Sequence, residues 1–486
     1  MNNDKYTVRG LMVLLALFFA FSSVLAQQES LNDSDITLAI EAELVLDEAV
    51  ASHLIDVSTK NGIVTLTGRV DNILNKERAT RVAETIKGVR SVINNIEVVT
   101  PERSDKALSE DINAALLEDP ATDSYEVGMV VDKGKVVLTG TVDSWQEKML
   151  AGKVVKSVRG VKKVDNNIGV RYKSERSDFE IKQDIQRNLE NDIWVDDGLI
   201  EIEVQDGNVM LSGTVGSADE KSRAITDAWV IGVNDVEAQS LEVKYWARDE
   251  MRRTRDFEKI TDEEIKQAIN DAFFQDPRVF SFHVDVIVEN GNVTLSGVVD
   301  NLRSKSAAEQ VARNTYGVWD VDNHIRVRPN TVPVNDTLKA RVKRAMIRDP
   351  YVELHDLSIF AINGKVYLNG QVNTSYEKQR AQTVAERVKG VVDVSNNIKY
   401  EHKWTWKPDW KIRRAVNSQL FWSPFVDSDQ VTLTIEDGVV TLSGNVDSWS
   451  EKSAAEDNAY EGGAREVNNN LNVKGKWYLD RYWYFR

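Results

Sequence analysis

Histidine, cysteine and serine are the residues that would carry metal or nucleophilic chemistry, and their placement supports neither. The histidines lack the i, i+4 spacing of a helical metal pair, and each occupies a different place in the repeat described below. The chain has no cysteine and no Gly-x-Ser-x-Gly nucleophile elbow. The sequence therefore predicts a protein that is not an enzyme, with no catalytic residue, no metal site and no cofactor. The histidines are His53, His283, His324, His355 and His402.

Glycines recur in pairs, and glycine-rich turns can bind phosphate through backbone N–H groups. Gly134 and Gly140 form one such pair. A Walker loop needs Gly-Lys-Ser or Gly-Lys-Thr before a helix, and a dinucleotide site needs Gly-x-Gly-x-x-Gly after a strand. Here the first glycine lies at a predicted hairpin turn and the second at a strand end, so we interpret both as structural. Paired asparagines such as Asn166 and Asn167 either bind a ligand or satisfy loop backbone groups, and we favour the second role.

One acidic loop has a composition that suggests calcium. It runs from Asp192 to Gly198 and also contains Asp196 and Asp197. The loop lacks the ligand spacing and the closing glutamate of an EF-hand, so no calcium site is predicted.

Aromatic side chains are the most informative group, because the chain contains twelve tryptophans. Trp145 and Trp449 follow Ser144 and Ser448 at the predicted start of a helix, and Tyr376 has the same place in another copy. A ring at this place either packs over the hairpin or stands exposed, where it would suit a membrane interface. Trp145, Tyr376 and Trp449 are therefore candidate contacts with a membrane or a partner.

Two further aromatic segments lie towards the end of the chain. Residues 404–410 contain three tryptophans, and the tail contains Trp477, Tyr482 and Trp483 among basic residues. The tail either folds onto the last repeat as a cap or docks on a membrane or a partner. Its three named aromatic residues join the candidate contacts.

The chain is built from six copies of one unit. The first glycines of the pairs lie at positions 62, 134, 207, 291, 364 and 438, with spacings of 72, 73, 84, 73 and 74 residues. Apolar residues every four positions predict a first helix, and alternating apolar residues joined by Asn-Gly, Asp-Gly or Lys-Gly predict a hairpin. A second helix that ends at a glycine such as Gly160, and a last strand, complete the unit.

This order predicts an α+β fold, a tandem array of six small two-layer modules with two helices on a three-stranded sheet. The last strand should lie parallel to the strand before the second helix. The predicted segments are a signal peptide at 1–26, modules at 31–100, 103–172 and 176–245, a linker at 246–259, modules at 260–328, 334–402 and 406–474, and an aromatic tail at 475–486.

The N-terminal residues are interpreted as a targeting signal. Lys5 and Arg9 precede an apolar run, and Val24 and Ala26 provide small residues at a cleavage site before Gln27. The alternative is an uncleaved anchor, but the run is shorter than the ~20 apolar residues that span a bilayer. We expect a cleaved secretory signal peptide and export to the periplasm.

The charge balance limits the partners. Acidic side chains outnumber basic ones by 77 to 61, which gives a net charge of −16. Such a surface repels phosphate backbones, so no nucleic-acid partner is expected. No small-molecule substrate is evident either.

The repeated motif resembles a known family. Residues Gly134 to Val142 show Gly-x-Val-x-Leu-x-Gly-x-Val, and residues Gly160 to Ile168 show Gly-Val-x-x-Val-x-Asn-x-Ile. This pattern resembles the BON module of bacterial osmotically inducible and nodulation proteins. The third copy departs from it near Ala238, and the sixth has two glycines where the others have Gly-Val.

The resemblance implies a non-enzymatic envelope protein that binds phospholipid or envelope components and supports membrane integrity under osmotic stress. The competing hypothesis is a periplasmic scaffold or holdase-like factor that binds envelope proteins, which suits the acidic charge. Locally basic faces that carry aromatic rings would favour lipid, whereas an acidic surface throughout would favour protein partners.

Overall fold

The computed structural model describes residues 31–50, 52–122, 125–250, 260–279, 283–354, 357–400, 406–423, 425–446 and 448–473. The predicted signal peptide, most of the predicted linker and the aromatic tail lie outside these residues. None of the helices within the described ranges is long and apolar enough to cross a membrane.

The first three modules share one order of elements. Module one has the first helix Asp33–Leu46, hairpin strands Ile55–Lys60 and Ile63–Val70, the second helix Ile73–Glu84, and a last strand in two pieces, Ser91–Asn94 and Glu97–Val98. Module two has Asp105–Glu118, Val127–Asp132, Lys135–Val142, Trp145–Lys156, Lys163–Asn166 and Gly169–Val170. Module three has Asp178–Asn191, Ile200–Gln205, Asn208–Val215, Ala218–Asp227, Asp235–Glu237 and Leu241–Val243, and a short helix, Tyr245–Glu250, follows it.

The last three modules repeat this order. Module four has Asp262–Gln275, Val284–Glu289, Asn292–Val299, Leu302–Arg313, Asp320–Asn323 and Arg326–Val327. Module five has Asn335–Arg348, Leu357–Ile362, Lys365–Val372, Ser375–Glu386 and Asp393–Tyr400. Module six has Asp409–Trp422, Val431–Glu436, Val439–Val446, Trp449–Glu461 and Glu466–Val473. The predicted α+β array of six modules is confirmed.

Each sheet has the predicted topology. In module two the hairpin strands pair antiparallel, and the last strand pairs parallel with the second hairpin strand. Both helices cover one face of this sheet, and Ile112, Leu138 and Ile168 are at most 1% exposed between the layers. Burying each such side chain contributes about 1.5–3 kcal/mol. Every module has a core of this kind, which is why the short unit can repeat.

A hydrogen-bonded contact between the first helix and the hairpin turn recurs in all six modules and was not predicted. The Asp33 carboxylate accepts hydrogen bonds from the N–H groups of Asn61 and Gly62, at 2.7 and 2.9 Å, and these bonds lower the pKa of Asp33. The turn residues have φ of 53° and 72°, as a type I′ hairpin requires. The equivalent hydrogen bonds join Asp105 to Lys133, Asp178 to Asp206 and Gly207, Asp262 to Asn290 and Gly291, Asn335 to Asn363, and Asp409 to Asp437 and Gly438.

The predicted end of the second helix was wrong. In module two the helix ends at Lys156 with Ser157 as its C-cap, and Gly160 comes only after a further turn, with φ of 101°. That turn is closed by the Val161 N–H, which donates to the Val158 carbonyl at 3.1 Å. Gly160 therefore does not cap the helix but reverses the chain before the last strand.

The modules also pair with one another. Between modules two and five, the Arg159 N–H donates to the Arg348 carbonyl at 2.6 Å, and the Lys389 N–H donates to the Glu118 carbonyl at 3.0 Å. Each donor directly precedes the positive-φ glycine that follows the second helix, and each acceptor is the last residue of the partner's first helix. The two modules thus use the same surface reciprocally, as the subunits of a two-fold dimer do.

The same contact pairs the other modules. The Lys87 N–H of module one donates to the Trp422 carbonyl of module six at 3.1 Å. The Tyr316 N–H of module four donates to the Asn191 carbonyl of module three at 2.9 Å. The chain therefore contains the module pairs one–six, two–five and three–four.

Additional side-chain contacts connect these pairs. They join modules one and two, two and four, and one and five through Glu77–Lys156, Asp119–Arg303 and Asn75–Tyr351 respectively. In a solenoid each repeat contacts only its neighbours in sequence. This chain instead closes on itself, because modules far apart in sequence contact one another.

Candidate functional site

Trp145 lies between modules two and three. Its ring stacks on Trp229 with centroids 5.2 Å apart and planes 5° from parallel. The neighbouring Gln146 amide donates to the Trp229 carbonyl at 2.6 Å. The serine cap that begins this helix is the predicted Ser144, which accepts from the Glu147 N–H. These contacts support packing between modules rather than an exposed ring at this position.

Tyr376 lies between modules five and one. Its ring meets Tyr351 edge to face at 4.9 Å, and the Arg78 guanidinium lies 4.7 Å from the ring centroid. The Tyr376 N–H donates to the Glu48 carboxylate at 3.1 Å. A cation over an aromatic face and an edge-to-face pair each add about 0.5–1.5 kcal/mol. This residue, too, contributes to contact between modules.

The remaining candidate contacts stay predictions from the sequence. Trp449 begins the second helix of module six, but its side chain lies outside the described part of the structure. Trp477, Tyr482 and Trp483 also lie outside it. Their proposed roles depend on the aromatic and basic composition of the tail alone.

An exposed aromatic surface lies at the start of module six. Trp406 is 74% exposed and Trp410 is 61% exposed, and the Lys411 ammonium lies 5.6 Å from the Trp410 ring. Lys407 and Arg414 are exposed beside them. We call these five residues the aromatic–basic face. Two tryptophan rings that are this exposed and four positions apart make this a candidate contact surface.

The aromatic–basic face is positively charged because of the helix that carries it. The first helix of module six, Asp409–Trp422, has three basic side chains and one acidic one, and that carboxylate accepts from the hairpin turn. The first helix of module five, Asn335–Arg348, has five basic residues and one acidic residue. The equivalent helices of modules three and four have four acidic residues each. The charge of −16 is therefore unevenly distributed, and the last two first helices are basic.

The acidic loop of module three has a structural role. Asp192 is the C-cap of the first helix and forms a backbone bridge to Thr315 of module four. Burial raises the pKa of Asp192 and of Asp227, and the two carboxyl groups share a hydrogen bond. Among the described residues no group of three or more acidic or histidine side chains could hold a metal ion.

The paired asparagines also have structural contacts. The Asn166 amide donates to the Lys148 carbonyl at 2.7 Å, and its oxygen accepts from the Ile168 N–H at 3.4 Å. The same bonds occur at Asn94, Asn323, Asn396 and Asn469. These hydrogen bonds join the last strand to the second helix. The asparagine thus satisfies backbone groups, which is the role that we favoured from the sequence.

The basic residues of the aromatic–basic face were missed from the sequence as site residues. The signal was available, because Lys411, Arg413 and Arg414 follow Trp410 within four positions. The net charge of the whole chain concealed it. Counting charge for each helix separately would have found it.

Comparison with protein families finds one match that repeats along the chain. The family described as the BON domain matches residues 32–100, 104–172, 177–245, 261–329, 335–402 and 408–475. Osmotically-inducible protein Y of Escherichia coli is 35% identical over 145 residues, which cover 28% of this chain and 72% of that protein. Outer membrane lipoprotein DolP of Haemophilus influenzae is 29% identical over 147 residues, which cover 29% of this chain and 76% of that protein.

Among solved structures, CdsD, a structural protein of the type III secretion system of Chlamydia trachomatis, is 16% identical. The match covers 43% of this chain and 91% of that chain, with a TM-score of 0.12. At this score the likeness does not inform the fold or the function.

Proposed function

Since the chain belongs to the BON-domain family along nearly all of its described length, we propose that it is an exported, non-enzymatic protein of the periplasm that binds phospholipid surfaces. In this role it would support the envelope under osmotic stress. The names of its relatives, an osmotically inducible protein and an outer membrane lipoprotein, support an envelope role. The absence of cysteine and of any recurrent catalytic set supports a binding role.

The aromatic–basic face is the observation that carries the proposal. Tryptophan rings partition into the interfacial layer of a bilayer, and each nearby basic group adds about 1 kcal/mol of attraction to an anionic surface. Lys407, Lys411 and Arg414 are exposed beside the two rings. Repulsion by the acidic remainder is screened beyond about 10 Å at 0.1 M salt, so this local attraction decides which side of the protein meets a membrane.

The test is co-flotation of the mature chain with phosphatidylglycerol vesicles. We expect Trp406→Ala combined with Trp410→Ala to reduce the affinity at least tenfold, because each buried ring contributes on the order of 1–2 kcal/mol. The melting temperature should not change, since both rings are exposed. Binding should weaken with salt and with phosphatidylcholine in place of phosphatidylglycerol.

Phe179 provides the matched control. It is the second residue of the first helix of module three, as Trp410 is in module six, and it is 68% exposed. Its helix is acidic, so Phe179→Ala should leave vesicle binding unchanged. Equal losses in the two variants, or no loss in either, would rule out the aromatic–basic face as the lipid contact.

We further propose that the tail acts with this face through Trp477, Tyr482 and Trp483. Deletion of residues 476–486 should then reduce flotation without lowering the melting temperature. A large fall in melting temperature with unaltered flotation would show that the tail is a cap.

The scaffold or holdase-like function is the second candidate. It is supported by the acidic first helices of modules three and four, which would repel anionic lipid. In that case the mature chain would fail to float with anionic vesicles at low salt.

A further inference from the structure

A large cavity lies where modules one to five meet. Its volume is about 1020 Å³, at the upper limit of the size range of sites for small organic ligands. Eight basic side chains line it, and four of these come from four different modules: Arg81 of module one, Lys153 of module two, Arg278 of module four and Arg380 of module five. Only the closed arrangement of modules brings these cations together.

Lys153 is the central group of this set. It projects from the second helix of module two, and its side chain is accessible from the cavity. It forms no ion pair with any carboxylate in the described part of the chain. Desolvation and the charges of Arg387, Arg278 and Arg81 lower its pKa to about 8. Like charges so close together favour the neutral amine, and a bound anion would offset their repulsion.

The neighbouring charges are only partly neutralised. Arg278 pairs with Asp276 and Arg380 pairs with Asp349, each with a nitrogen–oxygen distance of 2.6 Å. Arg81, like Lys153, has no ion pair among the described residues. A positive excess therefore remains on the wall that modules one, two and five form.

Modules three and four line the rest of the cavity with both acidic and basic side chains, Arg176 and Arg223 among the basic ones. Asp184 pairs there with Arg187, and the Asp192 and Asp227 carboxyl groups interact with each other. An anion would therefore be attracted by the wall that modules one, two and five form. Uncharged or cationic molecules would gain nothing from that wall.

We propose that this cavity binds a phosphate-bearing anion with more than one negative charge, and that Lys153 and Arg81 contact its phosphate oxygens. Guanidinium and ammonium groups are the side chains that recognise phosphate in proteins. Several convergent cations match a group that carries about two negative charges better than they match one carboxylate. The chain as a whole carries −16, so general attraction cannot supply this binding.

The test measures binding of inorganic triphosphate to the full mature chain by calorimetry at constant ionic strength. We expect saturable binding that raises the melting temperature. Lys153→Gln and Arg81→Gln should each weaken binding at least fivefold. Without triphosphate, Lys153→Gln should keep or raise the melting temperature, because it removes charge repulsion. This second measurement separates lost binding from lost folding.

Lys106→Gln is the matched control. Lys106 is exposed on the first helix of module two and does not line the cavity, so this variant should bind like the original chain. Equal affinity in Lys153→Gln and Lys106→Gln, or no binding of any probe to the original chain, would overturn the proposal.

A second probe separates the two sources of such a phosphate. Dihexanoyl phosphatidic acid, used below its micelle concentration, presents a phosphate monoester with up to two negative charges on a lipid headgroup. Binding of either probe that Lys153→Gln weakens supports the site, and the tighter probe identifies the source. The Trp406→Ala and Trp410→Ala variant should still bind triphosphate, so failure of the membrane proposal and failure of this site give different results.

Discussion

Replacing Asp119 with asparagine should lower the free energy of unfolding by about 3–5 kcal/mol. Asp119 and Arg303 form an ion pair between modules two and four, and they are 4% and 8% exposed. Desolvation and the charge of Arg387 lower the pKa of Arg303 to about 9, because both disfavour its charged form. Removing one partner of a buried pair leaves an uncompensated charge. The amide oxygen of an asparagine can still accept the hydrogen bond that the Ala121 N–H donates to Asp119, so the substitution removes only the negative charge.

A double-mutant cycle in urea isolates the pair. Arg303→Met alone should also destabilise, and Asp119→Asn combined with Arg303→Met should recover most of the loss. Additive losses in the double variant would mean that the two side chains do not interact. A loss below about 1 kcal/mol for Asp119→Asn would contradict the packing of module two against module four.

Replacing Gly140 with alanine should lower the stability of the chain by about 3–4 kcal/mol. Gly140 has φ of 126°, and a Cβ at this position would lie 2.3 Å from the Glu126 carbonyl oxygen. Both the backbone conformation and the clash with a hydrogen-bonded strand oppose any side chain. The second glycine of every pair has a positive φ, between 107° and 139°.

Gly169 provides the control in the same sheet. It has no positive φ, and its nearest neighbour to an added Cβ would be 3.6 Å away, so Gly169→Ala should change stability by less than about 1 kcal/mol. Equal effects at the two positions in thermal unfolding would show that the close approach at Gly140 is not a constraint. The expected contrast would support the structural interpretation of the glycine pairs over a phosphate loop.

Local chemistry explains why the module could be predicted from the sequence. Ser177 with Glu180 and Thr261 with Glu264 form capping boxes, a motif that needs only a spacing of three residues. The hairpin turn could be predicted equally well from the sequence, because Asn-Gly permits positive φ at both central positions. Such signals operate within a few residues, and six copies repeated them.

The packing between modules has no comparable signature. The contacts that pair modules are made by the backbone N–H of residues such as Arg159 and Tyr316, which have different side chains. The ion pair between Asp119 and Arg303 joins positions separated by more than two modules. A single sequence does not indicate which of many charges will meet, so these contacts and the cavity they enclose required the structure.

The residues of the candidate contact surface could be predicted only in part from the sequence. The aromatic residues were identified, but Trp145 and Tyr376 contact other modules, whereas Trp406 and Trp410 are exposed. Trp145 and Trp410 each lie within the first two residues of a helix, so spacing alone did not separate them. The exposure of a ring depends on whether another module covers it.

The central claim is that the six modules close on one another, and a disulfide test addresses it most directly. The chain has no cysteine, so an introduced pair has no competitor. The Lys87 N–H donates to the Trp422 carbonyl, which places these residues of modules one and six side by side. We predict that Lys87→Cys with Trp422→Cys forms an intramolecular disulfide under mild oxidation, visible as a faster band on a non-reducing gel.

Gln275 ends the first helix of module four as Trp422 ends that of module six, so Lys87→Cys with Gln275→Cys is the matched control. This control should stay reduced under the same conditions. A disulfide that forms readily with Trp422→Cys and not with Gln275→Cys is the result expected of the closed arrangement. Equal cross-linking of both pairs, or none with Trp422→Cys, would contradict it.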